Sequence, residues 1–193
     1  GVVYGSILML CTILYMLIIL LMEKKDKEIY KGLSDTDALT GLLNRRAFQA
    51  AVDETLLKRI SGVFIFIDVD NFKDYNDKYG HANGDLCLKH FAAAMKKCFP
   101  KDSILGRYGG DEFVVYIKNA ASDAAHRYMD EFQREISHLM MSGGEHVTVS
   151  ASAGGVAFAG EGEDFVSLCR SADNMLYDVK RNGKGTFKMK GAK

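Results

Sequence analysis

The chain has no excess of either charge, with 25 Lys and Arg against 25 Asp and Glu in 193 residues. A balanced surface gives no electrostatic reason to expect nucleic acid as a partner. It is poor in cysteine: Cys11, Cys87, Cys98 and Cys169 show no CxxC spacing, and Cys11 lies within an apolar stretch. That argues against a zinc site and against a disulfide framework, and it places the globular part in a reducing compartment. The one proline, Pro100, stands where a helical pattern has to end. His90, His126, His138 and His146 have no ligand spacing, and no repeat or low-complexity segment is present. What remains, at 48% hydrophobic, fits one ordinary globular domain with a short appendage.

Another absence marks that appendage. No residue from Val2 to Met22 is charged, and a run of roughly 20 apolar residues is long enough to cross a hydrocarbon core of about 30 Å as a helix. Residues 1–22 are therefore expected to span a membrane, with no basic start or small-residue cleavage site to mark a signal peptide. Lys24, Lys25, Lys27 and Lys31 follow at once, so the rest of the chain is expected in the cytoplasm. The chain opens on Gly1 rather than Met, which leads us to expect a longer protein with an upstream sensor region. Residues 23–34 read as a charged helical linker, with too few apolar positions, chiefly Ile29 and Leu33, for a coiled coil unaided. It serves either as a solvated stalk or as a continuation of the membrane helix that transmits rotation or dimerisation.

The remaining chain, 35–190, alternates helical and strand patterns. Asp37 can cap the turn that follows it, and Phe48, Val52, Leu56 and Ile60 give Arg45 to Ile60 helical spacing. Gly62 to Ile67 is a short apolar run with the character of a strand buried on both faces. A polar helical stretch from Phe72 to Tyr79 is interrupted by Gly80 to Gly84 before helix resumes from Asp85 to Phe99, with Leu86, His90, Ala93 and Lys97 on recurring turns. Ser122 to Met141 reads as an amphipathic helix capped by Ser122, with Ala125, Met129, Phe132 and Ile136 inward. Val147 to Phe158 alternates as a strand. Val166 to Val179 has helical spacing in Val166, Leu168, Ala172, Met175 and Val179, and Gly185 to Lys188 forms a short last strand.

The chemistry centres on Arg107 to Phe113, where Gly109-Gly110 separates two strand-forming runs and supplies the positive φ of a tight hairpin turn. Two carboxylates, Asp111 and Glu112, follow the turn. A second acidic cluster, Asp68-Val69-Asp70, ends the buried strand. An unpaired carboxylate costs several kcal/mol there, so it is solvated, paired with a base, or holding a cation. If the hairpin pairs beside that strand, Asp68 and Asp111 converge on one site of hard oxygen ligands suited to Mg²⁺. The plain alternative is a solvated strand end, and for Asp70 a helix N-cap.

Gly109-Gly110-Asp111-Glu112-Phe113 resembles the signature of GGDEF-domain diguanylate cyclases. Asp37-Ala38-Leu39-Thr40-Gly41-Leu42-Leu43-Asn44-Arg45-Arg46 resembles the opening segment of that family. Asp68-Val69-Asp70-Asn71-Phe72-Lys73 with Asn76-Asp77, Gly80-His81 and Gly84-Asp85 resembles its centre, and Ala172-Asp173 with Lys180 to Lys184 its close. The resemblance runs from Asp35 to Phe187. It implies an α/β domain with a central, mainly antiparallel sheet flanked by helices, a palm-like βααββαβ core similar to polymerases and class III adenylyl cyclases.

It also implies an activity, the condensation of two GTP into cyclic di-GMP and two pyrophosphates at the two-fold interface of a homodimer. By resemblance, Asp68, Asp111 and the carbonyl of Val69 ligate Mg²⁺ or Mn²⁺, two per active site, and Glu112 or Asp111 assists metal binding or accepts the proton. Asn76 and Asp85 read guanine, and the carboxylate at Asp85 favours GTP over ATP. Backbone N–H groups of Asn71, Phe72 and Lys73 at a helix start receive the triphosphate together with Lys180 and Lys184, and His81 orients the glycine loop or a phosphate. Lys184 keeps the charge but not the fork of the Arg common at its position. Many relatives carry an inhibitory Arg-x-x-Asp before the Gly-Gly; here Pro100-Lys101-Asp102-Ser103 stands in its place, so weak or absent product inhibition through that site is expected. Two other readings compete with catalysis: a degenerate domain serving as a nucleotide-binding or dimerisation module, and an adenylyl-cyclase-like or polymerase-like palm, which the Asn76/Asp85 pair disfavours. The expected setting is a bacterial inner membrane with the catalytic domain in the cytoplasm.

Overall fold

The computed structural model describes Met9 and residues 12–22, 34–140, 144 and 146–190. They fall into two units, Gly1–Asp35 and Thr36–Lys193. In the first, 12–22 are helical with exposed apolar side chains. Among the described residues no helix is long and apolar enough to cross a membrane. The other positions of the expected 1–22 span and nearly all of the expected linker lie outside the described residues.

The second unit runs β1 (Leu43–Asn44), α1 (Arg45–Leu57), β2 (Gly62–Val69), α2 (Phe72–Tyr79), α3 (His81–Cys98), β3 (Ile104–Gly109), β4 (Glu112–Lys118), α4 (Ser122–Ile136), β5 (Leu139–Met140), β6 (His146–Val147), β7 (Ala151–Phe158), α5 (Phe165–Arg181) and β8 (Phe187–Lys190). Six strands form one sheet in the order β1-β3-β4-β2-β7-β8. The three inner pairings, β3 with β4, β4 with β2 and β2 with β7, are antiparallel, and the two outer ones are parallel. The expected mainly antiparallel sheet flanked by helices is thus present as a mixed sheet.

Strand alternation divides the core. Val63, Ile65, Ile67 and Val69 of β2 face α3 and α4 with Phe91, Met95, Met129 and Phe132, while Phe64 and Phe66 face α1 and α5 with Phe48, Val52, Phe165 and Leu168. On the second face Phe48, Phe64 and Phe165 meet edge to face at centroid distances of 6.1, 6.3 and 5.9 Å, pinning both helices to the central strand. Each such side chain contributes about 1.5–3 kcal/mol when buried. β2 is buried along its whole length, so its polar end, Asp68 to Asp70, has one fixed place.

Several boundaries depart from the sequence expectations. Only Gly80 (φ 82°) interrupts α2 and α3; Gly84 lies inside α3 and is buried. The buried stripe of α3 is Cys87, Leu88, Phe91, Ala92, Ala94, Met95 and Cys98, whereas Ala93 and Lys97 are exposed, because this helix packs on both the sheet and α4. Ser122 is the first residue of α4 rather than its cap, which is Ala121. The helix stops at Ile136, and Leu139–Met140 pair with His146–Val147 as a separate two-stranded ribbon, so β7 begins only at Ala151. Val166 is 55% exposed; the inward residues of α5 are Phe165, Leu168, Ala172, Leu176 and Val179.

Candidate active site

The hairpin forms as the sequence requires. β3 and β4 pair with Gly109 opposite Glu112, leaving Gly110 and Asp111 as the turn, and a register shift falls between Arg107 and Gly109. Of the two glycines only Gly110 adopts a positive φ, 46°, so the left-handed requirement rests on it alone. Arg107 locks the turn: its Nε and Nη2 donate to Gly110 O at 3.0 and 2.7 Å, and its Nη1 donates to Asp37 Oδ1 and Oδ2 at 3.1 and 3.2 Å. Asp37 also accepts from Thr40 N and Oγ1 at 2.9 and 2.7 Å. Burial opposes ionisation of Asp37, yet the Thr40 bonds and Arg107 together hold its carboxyl below the ordinary value.

β4 lies beside β2 with Glu112 directly opposite Asp68. The N–H of Val69 donates to the carbonyl of Asp111 at 3.2 Å, which seats the turn against the end of β2. Asp68, only 9% exposed, pairs with Lys180 Nζ at 2.8 Å. Burial nevertheless raises its carboxyl above the ordinary value; Lys180 works against that shift, while Asp111 and Asp70 add to it. Glu112 is raised too, by burial first and then by the charges of Asp68 and Asp111. The hairpin thus lies beside β2 as expected, and the residue directly opposite Asp68 is Glu112, with Asp111 in the adjoining turn.

Asp70 is neither an N-cap nor part of that acid pair. Its carboxylate accepts from Ser150 Oγ at 2.7 Å, Ser152 Oγ at 2.6 Å and Gly185 N at 3.0 Å. The N-cap of α2 is Asn71, itself left-handed (φ 55°), with no side-chain cap bond. The first turn of α2, with Phe72 and Lys73, leaves its N–H groups available to an anion. Lys184 Nζ donates to Asn71 Oδ1 at 2.8 Å. Both lysines expected at the triphosphate thus reach the end of β2, one at the acids and one at the helix start.

The residues expected to read the base lie on the helix pair that follows. Asn76 lies five residues beyond Asn71 on α2, about 7.5 Å along the helix axis at 1.5 Å per residue. Its Oδ1 is buried with no hydrogen-bond partner, and a Cβ at Gly84 would overlap it, so α2 and α3 meet there only because residue 84 has no side chain. Asp85 and His81 are exposed on α3. Asn76 thus packs against the residue that precedes Asp85 in α3.

Hard-oxygen groups suit Mg²⁺ at the acids, and one or two carboxylates plus substrate phosphates suffice for it. Among the described residues no three His, Cys, Asp or Glu side chains are close enough to hold an ion by themselves. Asp68, Glu112 and Asp111 therefore do not form a complete ligand set on their own, and a cation there would need further oxygens, such as those of substrate phosphates. Sequence reasoning missed the Arg107–Asp37 clamp, the three bonds to Asp70 and the role of Gly84. The first two join residues far apart in the chain, and only the glycine in its own motif could have signalled the third.

The family described as diguanylate cyclase, GGDEF domain, matches residues 34–186. The chain belongs to this family. It is 31% identical over 186 residues to the diguanylate cyclase DgcM of Escherichia coli K12, covering 94% of this chain and 44% of that protein. It is also 33% identical over 168 residues to the cyclic di-GMP phosphodiesterase PdeR of the same organism, covering 86% of this chain and 25% of that one. The chain thus spans less than half the length of either. Among solved structures, the GGDEF domain of DgcB from Caulobacter crescentus, in complex with c-di-GMP, superposes with a TM-score of 0.74 at 29% identity, over 80% of this chain and 92% of that one. GGDEF cyclases depend on metal, in keeping with the acids at the β2 and β4 ends.

Proposed function

We propose that this GGDEF domain is a diguanylate cyclase that condenses two GTP into cyclic di-GMP and two pyrophosphates. The observation that carries the reading is the opposed pair Asp68 and Glu112 standing immediately before the anion-seeking start of α2, with Lys180 and Lys184 reaching the same strand end. Each linkage forms when a 3′-hydroxyl attacks an α-phosphate in line and pyrophosphate leaves. Paired Mg²⁺ or Mn²⁺ ions, held by Asp68, Asp111 and the Val69 carbonyl, would neutralise the phosphates and activate the hydroxyl. Glu112 or Asp111 accepts the hydroxyl proton. Asn76 and Asp85 bind guanine, His81 supports the turn beside them, and the N–H groups of Asn71, Phe72 and Lys73 with Lys180 and Lys184 receive the triphosphate.

One domain carries one such set and the product contains two nucleotides, so the reaction needs a homodimer with each 3′-hydroxyl aimed at the partner's α-phosphate. The uncharged run from Val2 to Met22 and the lysines after it support an inner-membrane anchor that leaves the domain, 35–190, in the cytoplasm and raises the local concentration of the pair. The ion pair of Asp68 with Lys180 favours a second reading, a catalytically degenerate nucleotide-binding or dimerisation module in which the lysine replaces the cation. Product analysis by mass from GTP and from ATP, with Mg²⁺ and across enzyme concentration, tests both. Cyclic di-GMP from GTP, at a specific activity that rises with concentration until dimers saturate, is expected. GTP binding without turnover would establish the second reading, and a flat profile down to monomer would overturn the dimer.

A further inference from the structure

We propose that Asp70 is a positioning residue that sets Lys184 against the triphosphate, an inference that rests on the nucleotide-binding reading above. The segment after α5 turns through three successive positive φ values, 120° at Gly183, 59° at Lys184 and 64° at Gly185. A lysine in the left-handed region persists only where its surroundings hold it there. The hold comes from the residue that follows β2. Asp70 Oδ2 accepts from Gly185 N at 3.0 Å and Ser150 Oγ at 2.7 Å, and Oδ1 accepts from Ser152 Oγ at 2.6 Å. Ser152 Oγ also receives Gly185 N at 3.2 Å.

Asp70 is 9% exposed and Ser152 is fully buried, so the clamp is built into the core, and Asp70 N is itself fixed to Ser150 O at 2.9 Å. The residue next to the clamped amide is Lys184, whose Nζ crosses to Asn71 Oδ1 at 2.8 Å. Asn71 directly follows Asp70 in the chain. The end of β2 therefore carries, in four consecutive residues, an acid of the opposed pair, a carbonyl expected to face metal, the anchor of the lysine loop and the start of the phosphate-seeking helix. A carboxylate is the right group for the anchor because three donors converge on it and it supplies only acceptors.

The test compares Asp70→Ala, Lys184→Ala and the double variant in the full chain, reading KM and kcat for GTP and calorimetric affinity for GTP and for GMP. Losing one charge-assisted phosphate contact is expected to raise the KM for GTP about tenfold in each single variant. The double variant is expected to be no worse than either single one, with affinity for GMP unchanged and kcat affected less than KM. Asp70→Asn, which can still present an oxygen to Gly185 N, is expected to restore most of the GTP affinity. Should Asp70→Ala not fold, Asp70→Glu moves the acceptor by one methylene and is read in the same way. Additive effects, or equal losses of GTP and GMP, would overturn the positioning role, whereas a wild-type protein that binds neither nucleotide would overturn the nucleotide reading itself.

Discussion

Asp68 and Glu112 stand directly opposite each other on β2 and β4, two carboxylates where like charges repel across a ladder. The fold does not avoid this arrangement. It buries Asp68 and offsets it with Lys180 at 2.8 Å, while burial and the charges of Asp68 and Asp111 raise the carboxyl of Glu112. A local cost of this kind, retained at the end of a fully buried strand, is expected where chemistry rather than stability sets the residues.

The first prediction concerns that cost. Both carboxyls are raised in the folded state, so their contribution to stability is present below the ordinary carboxylate range and is lost as pH rises through the raised values. Glu112→Gln is therefore expected to melt roughly 2–4 °C above the wild type at pH 7 without divalent ions, the shift that about 1 kcal/mol gives a chain of this size. The gap should close below about pH 4, where both carboxyls are protonated, and Mg²⁺ should raise the wild-type midpoint more than the variant's. A variant that melts at or below the wild type at pH 7 would show that the opposed pair is not under strain.

Much of this was legible in the sequence because the signals were local. The run from Gly62 to Ile67 reads as a doubly buried strand for the same reason that it is one, since every residue after Gly62 is apolar and bulky. The turn at Gly110 and the strand on either side of it were equally plain. The phase of α3 was not, because its buried stripe is broad and includes alanines and cysteines that periodicity weighs lightly. Asp70 illustrates the other limit. Its partners, Ser150, Ser152 and Gly185, are 80 or more residues away, and nothing in a one-dimensional pattern distinguishes a tethered carboxylate from a helix cap.

The second prediction follows from Arg107, which joins the hairpin turn to the Asp37 turn at the start of the domain. Arg107→Ala removes two donors from Gly110 O and the Nη1 donor from Asp37, at a cost of about 2 kcal/mol in stability. It is expected to lower kcat by about tenfold even at saturating GTP, because the turn places Asp111 and Glu112. Lysine at this position should rescue little, since it lacks the planar fork. Steady-state rates alongside thermal melts check the point. Wild-type kcat in Arg107→Ala would show that β4 alone holds the acids.

Gly84→Ala supplies the third. In a bare helix alanine gains about 1 kcal/mol over glycine, but here the added methyl overlaps Asn76 Oδ1, and relief of such overpacking costs about 1–3 kcal/mol. The clash wins or nearly so, and its cheapest release is rotation of Asn76 out of its place. The expected result is a small change in melting temperature with a KM for GTP raised about tenfold and a reduced preference for GTP over ATP. Unchanged discrimination would place base recognition away from Asn76.

The last prediction concerns inhibition by product. Where relatives carry Arg-x-x-Asp, Ser103 N donates to Pro100 O at 3.0 Å, so Pro100 to Ser103 is a tight turn. Pro100 offers no donor, Lys101 and Asp102 are exposed at the tip of the turn, and Ser103 Oγ is buried without a partner, so no charged acceptor faces outward where the family's Asp would. An open cavity of about 450 Å³ beside the turn is lined by Lys96, Lys101 and Lys118 with Asp102 and Ser103. Lysines there attract a phosphate as point charges but cannot grip phosphate and guanine edge together as a guanidinium does. Cyclic di-GMP titrated against initial rate at several GTP concentrations is expected to inhibit only in competition with GTP, and any residual binding at the lysines should fade between low and physiological salt. Tight inhibition that added GTP does not relieve would show that this turn, despite its residues, forms a working inhibitory site.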